Sequence, residues 1–344
     1  MRKTVGLILL IVVPVFTQGQ GKKTSDDFIV MFYNVENLFD TEDDPGTLDD
    51  EFTPESEKQW TPKRYEKKLD DLSEVFTSVD GRNLPAIIGL CEVENPQVLQ
   101  DLISTRKMKK EDYGIVHEDS PDIRGIDVAL IHRKDMYTVD SWKKIPVEIP
   151  SDSITTRDIL YVKGKTAGNE ILHCFVNHWS SRRDGEKETE RRRIYASVTL
   201  RKAVDSIINF EPEAKIIIMG DFNDEPTNNS LHSFLNANNK RKNTTNRDLY
   251  NLMYDMHNFE SKGTYSYKGN WNMLDQLIVS QALIHDRKGL YLDFTDGKIF
   301  REEWMMYSNP KIGEATPNKT YGGISYFGGV SDHLPVYLIL RKEE

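Results

Sequence analysis

Cysteine is almost missing from this chain: Cys91 and Cys174 are the two it has. A disulfide framework is thereby excluded. Both lie inside apolar runs that read as strands. An oxidising compartment would let them pair, but two buried free thiols is the expectation. Neither stands at a helix start, where a thiolate would be activated. No G-x-S-x-G elbow occurs, which speaks against a serine esterase. Paired cysteines and a spaced histidine cluster, the usual zinc donors, are lacking. No Pro/Ser/Gly-rich linker and no repeat divides the chain. Positive charge is in deficit, with 45 Lys and Arg against 55 Asp and Glu, a net charge of −10. That balance argues against a tight, non-specific grip on nucleic acid, although it leaves room for a locally basic cleft.

Long apolar runs are scarce as well. Arg2 and Lys3 precede one from Val5 to Phe16. It is too short to span a bilayer and has the make-up of a secretory signal core. Residues 1–20 therefore read as a signal peptide, with a cleavage zone near Thr17-Gln18-Gly19-Gln20. The protein is expected to be secreted or periplasmic, and not an integral membrane protein. Losing that segment removes Arg2 and Lys3 and no anion, so the remainder is more acidic still. With 38% hydrophobic residues, the part from 25 to 344 can fill one large α/β domain.

Several β-branched runs have the continuous apolar character of strands buried on both faces. They are Phe28 to Tyr33, Pro85 to Leu90 and Lys215 to Met219; Ile126 to His132 alternates as a strand, and Ile171 to Asn177, Leu274 to Ser280 and Pro335 to Leu340 read as further strands. Ile159 to Lys163 reads as another. Thr61-Pro62 starts a helix with a stripe of Leu69, Leu72, Val75, Phe76 and Val79. Asn95-Pro96 caps a second, bearing Val98, Leu99, Leu102 and Ile103. A third runs from about Glu186 to Asn209, with Ile194, Val198, Val204, Ile207 and Ile208 facing inward. Arg191, Arg192 and Arg193 read as its solvated face, paired with Glu186, Glu188 and Glu190. Asp40 to Gln59 forms a long acidic loop, suited to repelling polyanions or holding a structural cation. Strands and helices mix without strict alternation, which suggests a mixed sheet or a sheet-on-sheet sandwich flanked by helices, with one active edge.

The strand ends carry the chemistry. Gly220-Asp221-Phe222-Asn223 closes the Lys215–Met219 strand, and Gly220 there is expected to permit a tight turn. Asn34, Glu92, His178, Asp275, Asp332 and His333 stand at the ends of other strands. Each alone has a bland explanation as a turn or cap residue. Eight such residues, counting Asp221 and Asn223, do not. Carboxylates with an amide suit a hard, oxygen-seeking cation.

Six stretches occur in order: Tyr33-Asn34-Val35-Glu36-Asn37-Leu38-Phe39, Cys91-Glu92-Val93-Glu94-Asn95, Asn177-His178-Trp179, Gly220-Asp221-Phe222-Asn223, Leu274-Asp275-Gln276 and Ser331-Asp332-His333. Together they resemble the endonuclease/exonuclease/phosphatase superfamily, which includes pancreatic-type deoxyribonucleases, apurinic endonucleases, inositol-polyphosphate phosphatases and bacterial sphingomyelinases. The resemblance runs from about Phe28 to Leu340. It implies a four-layered α/β/β/α sandwich of two mixed sheets, with the site at the top of the sheets. It also makes residues 25–344 a single catalytic domain of a metal-dependent phosphoric ester hydrolase.

Roles follow partly from chemistry and partly from that resemblance. Glu92 is expected to bind the metal with Asn34 beside it and Asp332 nearby. Mg2+ or Mn2+ is implied, with Ca2+ as a further option. Asp221 activates the attacking water and Asn223 holds it or a phosphate oxygen. His333, fixed by Asp275, binds the phosphoryl group, and His178 aids the leaving group. Arg182, Arg157 and Arg124 are candidates for phosphate contact. Tyr265, Tyr267 and Trp271 are available to stack on a base or ring. The substrate is a phosphoester, nucleic acid among the options, and no stable protein partner is implied. A small phosphoester, or a phospholipid head group as in sphingomyelinases, is the alternative. An inactive binding relative would have lost one of the eight residues, and all eight are present.

Overall fold

The structure is a computed structural model that describes residues 27–342, apart from 82, 151–154, 309–312 and 314. The expected signal peptide lies outside the described residues. Two mixed sheets of seven strands each pack face to face. The first contains β1 (Phe28–Leu38), β2 (Ile87–Val93), β3 (Tyr113–His117) and β4 (Asp127–Arg133). Val336–Lys342 lies beside β1, and two short strands flank it. The second runs through β5 (Tyr137–Ile145), β6 (Ile159–Thr166), β7 (Ile171–His178) and β8 (Ile216–Asp221). It continues into Asp275–Ser280, Leu249–Asn251 and Ala237–Asn238. β1 pairs in parallel with β2, and β7 with β8.

Side chains alternate along a strand, so each central strand serves two cores. Val30 and Phe32 of β1 enter the core between the sheets, where they meet Cys174, Val176, Ile217 and Met219. Met31 and Tyr33 point the other way, toward α1 (Pro62–Ser78) and α2 (Pro96–Ser104). Phe175, Ile216 and Ile218 pack outward on α3 (Glu186–Phe210). Four layers result, α/β/β/α, and the apolar runs of the sequence are the strands buried on both faces. A side chain at Gly89 would collide with the Met219 thioether of the facing sheet, so glycine sets how closely the layers approach there. Cys91 and Cys174 are both buried and free.

Three expectations change. The buried face of α3 is Thr189, Arg193, Ala196, Ser197, Leu200, Val204 and Ile208. Ile194, Val198 and Ile207 are only half-buried. Arg193 is therefore in the core and not on a solvated face; its guanidinium lies 2.7 Å from Asp224. Val204 and Ile208 face inward as expected; in the first half of the helix, reading only apolar residues as inward picked Ile194 and Val198 over their buried neighbours Arg193 and Ser197. Gly220 makes no turn: it lies within β8, and a Cβ there would sit 2.6 Å from the Asn177 carbonyl oxygen of β7. The acidic loop is pinned by an aromatic cluster of Phe39, Phe52, Trp60 and Tyr321, and Trp60 Nε1 donates to Phe39 O.

Candidate active site

Strand register brings the site together. Asp221 ends β8, and its partners on either side are His178 of β7 and Asp275 of the next strand. Three functional side chains thus stand in a row on three neighbouring strands. The facing sheet supplies Asn34 and Glu92. Register shifts after Asn34 and after Cys91 break the ladder there, and Glu92 takes the left-handed backbone with φ 62°. Glu36, Asn37 and Asn223 share that backbone region. Such bulges and strained residues re-aim side chains next to functional sites. Glu92 Oε2 is fixed by the Asn37 N–H at 3.0 Å.

Asn34 bridges the sheets. Its Nδ2 donates to Glu92 Oε1 at 3.2 Å and to Asp221 Oδ2 at 3.0 Å. Its oxygen accepts the Glu36 N–H, so Asn34 presents a donor to the carboxylates. It is placed to hold Glu92 and Asp221 in position, and Glu92 and Asp332 are the carboxylates that could hold a metal. His178 Nε2 lies 3.8 Å from both Glu92 Oε1 and Asp221 Oδ2. His333 Nδ1 lies 2.7 Å from Asp275 Oδ2, which leaves Nε2 facing Asp221 and Asp332 at 3.9 Å each. The Asn223 N–H donates to Asp221 Oδ1, and its Nδ2 to Trp179 O. Asn223 is thereby tied to the loop after β7, which orients Asp221.

The two histidines are driven apart. Burial opposes charge on His333, but Asp275, with Asp221 and Asp332, outweighs it and holds the imidazolium well above the ordinary range. Burial keeps His178 neutral, helped by Arg157, Arg124 and His333. Burial also raises the Asp221 carboxyl, against the pull of His333. Asp221, with its raised carboxyl, thus stands within 4 Å of a charged histidine and of a neutral one, an arrangement able to give and take protons.

The chain matches the Endonuclease/Exonuclease/phosphatase family over residues 29–342. It belongs to that family. Family members are hydrolases of phosphoesters and are generally dependent on divalent metals. Among solved structures it is similar to mannosyl-6-phosphatase of Bacteroides thetaiotaomicron, at 16% identity and a TM-score of 0.56, covering 91% of this chain and 99% of that one. The catalytic domain of human Nocturnin with bound sulfate gives 16% and 0.54, covering 92% and 94%. Humanized D. rerio TDP2 gives 14% and 0.56, covering 92% and 99%. At these identities the likeness is one of fold. A search of curated proteins found no match.

The donor set fits the family's need for a metal. Glu92 and Asp332 bring carboxylate oxygens to the mouth of the cluster, at 17% and 34% side-chain exposure. Hard oxygen donors open to water suit Mg2+ or Mn2+ better than zinc. Asp332 also lines a cavity of about 800 Å3 with Tyr265, Tyr267, Lys268, Lys319 and Phe327. The Tyr265 ring lies against His333, with centroids 4.8 Å apart. Trp271 packs elsewhere, against the outer core beside α1.

The arginines are reassigned. Arg157 is buried, donating to His178 O and Asp122, so it cannot turn to a phosphate; it braces the end of β7 at His178. Arg182 donates to Asn223 O and Asn228 Oδ1, holding the loop after Asp221. Arg124 alone of the three keeps an open face, at 45% side-chain exposure, while paired with Asp122. An Arg fork fits a carbonyl as well as a phosphate, which is why sequence could not separate these uses.

Sequence reasoning overlooked Lys68. It is buried on α1 and donates to Glu36 O, Thr320 Oγ1 and Val330 O. Burial and Asp332 push Glu36 up to about 7. Lys68 stands four residues before Leu72, on the same helical face, and that phase was the available signal.

Proposed function

We propose that the protein is a divalent-metal-dependent phosphodiesterase, nuclease-like, that cleaves by in-line attack of an activated water. The observation that carries this is the His333–Asp275 pair at 2.7 Å, aimed at the buried Asp221. Glu92 and Asp332 would hold a divalent ion, Mg2+ or Mn2+, which would supply charge neutralisation for the phosphoryl and leaving oxygens. Asp221, raised by burial, takes the proton from the water. Asn34 and Asn223 keep that carboxylate aimed. Charged His333 donates Nε2–H to a phosphoryl oxygen, and Asp275 fixes its tautomer. Neutral His178 hydrogen-bonds the phosphoryl group on the leaving side. Each such donor supports the transition state by about 3–4 kcal/mol.

The aromatic and lysine wall beside Asp332 favours a substrate with a ring next to the phosphate. A nucleotide unit of a nucleic acid meets that description. So does a sugar phosphate, and the likeness to a mannosyl-6-phosphatase together with the acidic balance supports this second reading. The test is a panel of supercoiled plasmid, abasic duplex, bis(p-nitrophenyl) phosphate and mannose 6-phosphate, with Mg2+, Mn2+, Ca2+ or EDTA. Cleavage of the diesters supports the first reading. Turnover of the monoester alone supports the second. No metal-dependent turnover of any of them by folded protein would reject both.

We infer export from the Arg2-Lys3 start and the Val5–Phe16 run. Mass spectrometry of the N-terminus recovered from medium or periplasm tests it, and an intact Met1 there would refute cleavage.

A further inference from the structure

The acidic segment after β1 folds back on the loop that carries Glu92. Asp44, Asp49 and Glu94 each bring one carboxyl oxygen to a cluster in which these atoms lie within 4.8 Å of one another. Asp49 is 1% exposed and Glu94 7%. Each uses one oxygen on the backbone. Asp49 Oδ2 accepts from Asp44 N at 3.0 Å, and Glu94 Oε2 accepts from Asp40 N at 2.6 Å. The other oxygen of each, Asp49 Oδ1 and Glu94 Oε1, is buried with no hydrogen-bond partner. Among the described residues no lysine or arginine ion pair reaches any of the three. The charges that act most on Asp44 are those of Asp49, Asp40, Asp43 and Asp119, all negative.

Buried carboxylate oxygens without donors are expensive unless a cation meets them. Backbone N–H groups already position both carboxyl groups, so the free oxygens are pre-aimed. We propose that Asp44, Asp49 and Glu94 hold a calcium ion, separate from the metal at Glu92. All donors are oxygens, with no nitrogen or sulfur to select zinc. The cluster sits on an irregular loop, which suits the variable geometry of Ca2+ better than the strict octahedron of Mg2+. Exposed Asp44 gives the ion its entry path and leaves sites for water. The ion ties the Asp40–Asp49 segment to Glu94, two residues beyond Glu92. It thus fixes the backbone behind the catalytic ligand without touching the reaction.

The test separates the two metal sites by working in Glu92→Gln, where the catalytic carboxylate is gone. Calcium titration by calorimetry, with melting curves beside it, compares that protein with Glu92→Gln carrying Asp49→Asn. The first is expected to bind one more Ca2+ than the second, and only the first to gain several degrees in Tm on adding Ca2+. Exposed Asp44→Asn serves as the second variant, should Asp49→Asn fail to fold, with at least about 10-fold weaker Ca2+ binding expected. Equal Ca2+ uptake in parent and variants, or none in Glu92→Gln, would overturn the site and leave a proton shared between the carboxyls as the alternative. A Tm gain from Mg2+ as large as that from Ca2+ would overturn the choice of ion.

Discussion

Asp221 and Asp275 are register partners on adjacent strands, yet the structure gives them opposite surroundings. Asp275 is held against His333 at 2.7 Å. Asp221 stands 3.9 Å from the same imidazole and keeps a raised carboxyl. One carboxylate is paired with a cation, and the other is the base of the proposed reaction.

That division sets a pH dependence. The folded pKa of His333 lies well above its unfolded value. Its pairing with Asp275 therefore stabilises fully below about pH 6.5 and fades as pH rises through the folded value. Asp275→Asn is expected to move the basic limb of the kcat profile to lower pH. A loss of about 10²-fold near pH 8 should shrink toward pH 6. A loss that is the same at every pH would refute charge on His333 as its cause.

Raising Asp221 has the opposite sign for stability. A carboxyl raised in the fold weakens the folded state above its unfolded value near pH 4. Asp221→Asn should therefore lose activity by about 10²–10⁴-fold while the metal-free protein melts no lower than wild type at pH 7. Melting curves in EDTA check this, and a clear drop in Tm would show that Asp221 is structural.

Lys68→Met orphans the partners of three buried hydrogen bonds, at about 1–3 kcal/mol each. It also removes the cation beside Glu36, which already titrates at about 7. The variant should raise Glu36 further, so its extra destabilisation appears above that pH. Urea unfolding at pH 6 and pH 8 is expected to give a wider gap from wild type at pH 8. An equal gap would leave only the lost hydrogen bonds.

Arg193→Leu removes the nearer of the two cations on buried Asp224 and leaves it Arg182 at 3.5 Å. Breaking a buried pair in this way destabilises by about 3–5 kcal/mol. Because Asp224 also accepts from Ser230 and its carbonyl from Gln276, the loop after Asp221 should loosen. Hydrogen exchange over residues 222–231 should speed up. Protection equal to wild type would argue that Ser230 and Gln276 suffice.

Much of this was legible in the sequence because it is local. Buried strands announce themselves as apolar runs, and polar residues at their ends mark the active edge. The eight residues converge because His178 and Asp221 end strands, Asp275 starts one, Glu92 stands next to the end of β2, Asn34 sits at the register shift in β1, and Asn223 and Asp332-His333 lie in the adjoining loops of two facing sheets. What stayed hidden depends on tertiary partners. Arg157 and Arg193 look like surface cations until the carbonyls and Asp224 that they meet are known. Gly220 looks like a turn residue until Asn177 packs against it. The cavity beside Tyr265 joins segments from distant parts of the chain, such as Tyr267 and Phe327, that no spacing rule links.

The most direct test is hydrolysis of bis(p-nitrophenyl) phosphate in Mn2+ by wild type and by Asp221→Ala, with EDTA as control. Turnover that EDTA abolishes and that Asp221→Ala lowers by at least about 10²-fold is expected. Turnover by Asp221→Ala equal to wild type, in a protein that melts normally, would contradict Asp221 as the base.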